Sequence, residues 1–144
     1  MKIRTDLFLN TESTDELTND EISLLYLMPL IQTAWVCGAV SPREKQVIFS
    51  AARIESIDEQ HEFNNVIDEF LTYQPSRSFF DKCLHLINTG FENMTVKERT
   101  KIKETILNRC KQVASSAGNK SLMDVNHKVS PEEEHLLNRL KEVL

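Results

Sequence analysis

The chain has 144 residues, a net charge of −5 from 17 Lys and Arg against 22 Asp and Glu, and only three glycines and four prolines. That length suits one domain with one core, and so few turn-forming residues exclude the many tight turns of a β-sandwich or barrel. An acidic balance without a dense basic cluster argues against nucleic acid as the partner, since neutralising phosphates takes clustered Lys and Arg.

The opening residues, Met1 to Glu12, hold Leu7-Phe8-Leu9 as their only apolar run, too short for a secretory leader. The longest oily stretch, Ile22 to Ile31, carries Ser23 and Pro29. It is about half of the roughly 20 residues that a membrane span needs. The expected location is therefore the cytoplasm. Three cysteines (Cys37, Cys83 and Cys110), odd in number and without a C-x-x-C pair, read as reduced, mostly buried thiols.

In chain order, residues 1–18 form an arm or a short helix around 5–16. The next element, 19–37, opens on a Thr18-x-x-Glu21 capping box and is apolar almost all round, which predicts a central helix covered on several sides. Gly38 follows as its stop. Ser41-Pro42-x-Glu44 starts a helix over 42–57, with the proline at the position that best tolerates it. Phe63, Val66, Ile67, Phe70 and Leu71 give 59–73 one apolar stripe. A helix over 76–89 follows Pro75 and stops at Gly90. Thr95-x-x-Glu98 opens 96–117, whose stripe runs through Ile102, Ile106, Cys110, Val113 and Ala114, with Gly118 as its stop. Ser130-Pro131-x-Glu133 opens the last helix, 131–143. The expectation is an all-α, single-domain bundle of six to seven helices spanning residues 1–144.

Two of these starts match over nine residues. Val36 to Glu44 and Val125 to Glu133 share five positions at a constant offset of 89 residues. Each is a tight turn, a valine and a capped, proline-started helix, which suggests an internal helix-turn-helix repeat. N-capping physics alone also favours Val-Ser-Pro-x-Glu at a helix corner.

The run Ala34-Trp35-Val36-Cys37-Gly38-Ala39-Val40-Ser41-Pro42-Arg43-Glu44 resembles the A-D-G-x-V-S-x-x-E signature of the TerB-like family, helical domains of bacterial tellurite resistance. The second signature would correspond to Val125–Glu133, and the resemblance covers about residues 20–144. It implies a bundle of about seven helices around a buried central hairpin, and acidic turn residues proposed to hold a divalent cation. The chain departs from the pattern at Cys37 and Asn126, which stand for the motif aspartates, and at His127, which stands for a glycine.

The resemblance thus leaves Glu44, Glu133, Asn126 and Asp124 as candidate ligands of a weak divalent-cation site, which needs several oxygens brought together. The alternative is that Glu44 and Glu133 are capping carboxylates and nothing more. Asp124-Val-Asn126-His-Lys128 is not a calcium loop, having Lys128, Val129 and His135 where oxygen, glycine and glutamate are required. The four histidines show no H-E-x-x-H spacing and read as polar surface residues.

No catalytic residue or organic cofactor is expected, for the chain lacks a nucleophile elbow and a glycine-rich phosphate loop. Lys97, Arg99, Lys101, Lys103, Arg109 and Lys111 read as the solvated face of their helix, or as a face for an anionic partner or membrane surface. The functional expectation is a non-enzymatic module of a bacterial stress-response or tellurite-resistance complex, contacting other proteins. A divalent-cation binder or sensor is the alternative.

Overall fold

A computed structural model describes residues 6–116 and 131–144, and among them every regular element is helical. In order these are α1 (Asp6–Leu9), a 3₁₀ turn (Thr14–Glu16), α2 (Asn19–Ala34), α3 (Pro42–Ile54), α4 (Glu62–Thr72), α5 (Arg77–Phe91), α6 (Val96–Ser115) and α7 (Pro131–Val143). The expected all-α bundle is what forms. No helix among the described residues is long and apolar enough to cross a membrane.

The centre of the bundle is α2, as its unpatterned hydrophobicity predicts. Leu24, Leu25, Leu27, Met28, Leu30 and Ile31 are all fully buried, a set that points in every direction around the axis. Helices α3, α4, α5, α6 and α7 all touch it. Pro29 lies inside α2, and the hydroxyl of buried Thr33 donates to the Pro29 carbonyl at 2.8 Å, which satisfies its proton within the helix. The stripes of α4 and α6 also face inward, with Phe63, Val66, Ile67, Phe70 and Leu71 buried from one and Ile106, Cys110, Val113 and Ala114 from the other. Phe8 stacks over Phe79 at 6.1 Å between ring centroids, bringing the N-terminal arm onto α5.

Helix starts follow their local signals closely. Thr18 and Ser41 form complete capping boxes, each hydroxyl accepting from the amide of the glutamate three residues on while that carboxylate accepts from the cap amide. Thr95 accepts from the Glu98 amide at 3.1 Å. The Ser130 cap and Gly118 lie outside the described residues.

Helix ends differ from expectation at three places. Helix α2 ends at Ala34 rather than 37, where the Trp35 indole N–H donates to the Phe70 carbonyl at 2.8 Å and ties the exit to α4. Gly38 then takes φ +87, so it does reverse the chain, though it stands beyond the helix. Gly90 is not a stop: it is buried inside α5, where a Cβ would come within 3.0 Å of Thr14. Its smallness lets the 3₁₀ turn close on α5.

The third difference is α3, which ends at Ile54 through a pair of bonds no glycine announces. The Ile57 amide donates to the Ala52 carbonyl at 2.8 Å and the Ser56 amide to the Arg53 carbonyl at 3.0 Å. Buried Ile57 closes the turn against the core, and Ser56 between them sits at φ 69. This is a Schellman ending with serine in the left-handed position. Relief of that side-chain strain by Ser56→Gly should raise unfolding free energy by about 0.5–1 kcal/mol. Urea denaturation measures it, and a destabilised variant would contradict the strain.

Candidate functional site

Two of the candidate carboxylates, Glu44 and Glu133, stand buried in the first turns of their helices. Ser41 is extended at φ −81 and ψ 159, and its side-chain oxygen accepts from the Glu44 amide at 3.2 Å. In return the Ser41 amide donates to Glu44 Oε1 at 2.9 Å, which fixes the carboxylate over the first turn of α3. Unlike an ordinary capping glutamate at a solvent-facing corner, Glu44 is only 3% exposed.

Its counterpart at the end of the second copy, Glu133, is 1% exposed in the first turn of α7. The two side chains lie close enough that the Glu133 charge acts on Glu44. Burial, chiefly, pushes the Glu44 carboxyl above its ordinary range; the two hydrogen bonds with Ser41 pull the other way, and the charge of Glu133 adds a smaller upward push. The fold thus buries the glutamate of both matching helix starts.

Asp124 and Asn126, the other members of the expected site, lie outside the described residues, as does the rest of the second copy from Val125 to Ser130. Among the described residues no group of three or more His, Cys, Asp or Glu is arranged to hold a metal ion. The Glu44–Glu133 pair supplies two hard oxygen donors in a buried setting, chemistry that fits one end of a Ca²⁺, Mg²⁺ or Mn²⁺ coordination shell.

The cysteine expectation holds for two thiols and fails for the third. Cys83 and Cys110 are buried, and burial pushes both thiols up, Cys110 to about 12. Cys37 is exposed, against the expectation of a buried thiol beside Trp35 and Val36. The early end of α2 lifts it onto the turn while Trp35 turns back to Phe70.

His61, read from sequence as a surface residue, is the N-cap of α4. Its Nδ1 accepts from the Phe63 amide at 3.0 Å, so the ring proton is on Nε2, which faces Asp20 Oδ2 at 3.0 Å. Arg109 is likewise more than a solvated charge: its guanidinium is half-buried and pairs with Glu55 at 3.0 Å. Neither role has a short-range sequence signal. Asp20 lies 41 residues from His61, and Glu55 lies on the far side of the α3–α6 contact.

Set against known protein families, curated proteins and solved structures, the chain matches none. What the junction can do therefore rests on its own geometry.

The raised Glu44 carboxyl has a direct thermodynamic consequence. The folded protein holds this proton to higher pH than the unfolded chain does, where a glutamate titrates near 4.3. The group's contribution to stability is complete below that value and declines as pH rises through the raised folded value. Glu44→Gln keeps an acceptor for the Ser41 amide and discards the charge. In metal-free buffer the variant should melt above the parent at pH 7, the difference closing below about pH 4. Equal melting temperatures across that range would refute the raised Glu44 carboxyl.

Proposed function

We propose that the chain is a non-enzymatic TerB-like module of a bacterial stress-response or tellurite-resistance system, acting through contacts with other proteins. The observation that carries this reading is the burial of both Glu44 and Glu133, the matching glutamates of two repeated Val-Ser-Pro-x-Glu helix starts. Burial of the equivalent glutamate at both helix starts is what a structural repeat would require, and it supports the two-signature pattern of that family. Affinity capture from the native host, with the protein at its natural abundance, should recover one partner in near-stoichiometric amount. Recovery of nothing above an untagged control would overturn the reading.

The second reading is a divalent-cation binder or sensor at the same junction, and the burial of two like-charged carboxylates favours it. A cation there would offset their repulsion, with Asp124 and Asn126 as the remaining candidate donors. Thermal melts with Ca²⁺, Mg²⁺, Mn²⁺ or Zn²⁺ separate the readings. A cation at a hundred times its Kd stabilises the fold by about 2.7 kcal/mol, and Glu44→Gln should erase the increment. No shift with any of the four ions would end this reading.

A further inference from the structure

The His61 ring stands where two helices begin and holds one hydrogen bond to each. Its Nδ1 accepts from the Phe63 amide at 3.0 Å, and its Nε2 faces Asp20 Oδ2, in the first turn of α2, at 3.0 Å. Phe63 is the second residue of α4, a position whose N–H has no acceptor within its own helix. An imidazole nitrogen here does what a serine or aspartate oxygen does at an ordinary helix start. With both ring nitrogens engaged, no lone pair is left over for a metal ion or a substrate proton. The His61 side chain is nevertheless 20% exposed, so a proton from solvent can reach it.

The two bonds respond differently to that proton. The Nδ1 bond exists only in the neutral ring, because protonation turns the acceptor lone pair into an N–H donor. Two donors would then face each other across the distance that the cap now spans. The Nε2–H bond to Asp20 survives in both forms and becomes charge-assisted in the protonated one. The other charged groups at this corner come from three elements. Asp58 in the α3–α4 turn already accepts, through Oδ1, from the Gln60 and His61 amides, and Glu62 opens α4. From α3, Lys45 and Arg53 line a concavity that Glu59 and Asn64 also line. A positive ring at the start of α4 also opposes the helix dipole.

We infer that His61 is a proton-operated latch on α4: the neutral ring caps the helix and ties it to α2, and protonation uncaps the first turn while the tie to Asp20 holds. Val66, Ile67 and Phe70 keep the rest of α4 in the core, so the opening is confined to its N-terminal end. That end forms one wall of the α3–α4 concavity, whose shape therefore follows the protonation of His61.

Titration of the ¹⁵N-labelled full-length chain from about pH 8 to about pH 5, the interval in which histidines change charge, tests the latch. At the upper end, ring correlations should place the proton on Nε2. As the ring titrates, the Phe63 amide resonance should move with it. Its exchange protection, corrected for the intrinsic pH dependence of exchange, should fall roughly tenfold, the size of a lost cap. The Phe70 amide should keep its protection. His61→Asn supplies a cap that does not titrate and should flatten the Phe63 response. A ring proton on Nδ1 at the upper end would overturn the inference from the parent chain alone, whatever the variant does. So would a Phe63 amide that stays protected while the ring titrates, or an equal loss at Phe70, which would mark melting of the whole helix. The same fall in His61→Asn would assign the effect to Asp20 or Asp58 and overturn it as well.

Discussion

The burial of α2 on all sides is the constraint from which the rest of the arrangement follows. Its apolar residues point in every direction, so no single partner can cover it, and five helices must pack around one rod. Completely burying each Leu or Ile side chain contributes about 1.5–3 kcal/mol against exposure. The neighbouring helices need only one apolar stripe apiece, and that is what α4 and α6 have. The ends of α2 then decide where the chain goes next. Trp35 is tied to the Phe70 carbonyl, the backbone turns through Gly38, and Ser41 receives the chain in the extended conformation that a cap requires. Glu44 is buried because α2 stops where it does.

Polar groups taken into this core are handled in different ways. Thr33 satisfies itself on its own helix, and Glu44 has the Ser41 amide. Glu69, 8% exposed on α4, has neither carboxylate oxygen hydrogen-bonded among the described residues. A buried polar group without a partner costs about 1–3 kcal/mol, so Glu69 is a local debit that the surrounding aromatic packing of Phe70 on Phe79 must offset. The Arg109–Glu55 pair is different again. It is partly buried, and it ties α6 to the C-terminal end of α3.

Local chemistry made the helix starts legible. Thr18, Ser41 and Thr95 each act within three residues of themselves, and a reader needs no tertiary structure to find them. The ends were harder because they are settled by distant partners. Trp35 finds Phe70, Gly90 finds Thr14, and Ser56 accepts a left-handed backbone so that Ile57 can reach the core. A glycine rule reads Gly38 correctly and Gly90 wrongly for the same reason: both lack a Cβ, but one uses this for backbone freedom and the other for close approach. At the junction, Glu44 was recognisable as a capping residue, whereas its burial against Glu133 is a property of how α7 packs. The exposure of Cys37 and the capping role of His61 likewise depend on where neighbouring helices stop.

Capping and ligation, posed by the sequence as alternatives for Glu44, are compatible in the folded chain. The cap uses one oxygen, Oε1, toward the Ser41 amide, and a carboxylate has about four acceptor positions in all. The capping box therefore orients the group instead of consuming it. Burial then makes the charged form unfavourable, with a smaller push from the charge of Glu133. That influence exists only in the folded chain, because it links the first turns of α3 and α7, helices that start 89 residues apart in sequence and both pack on α2.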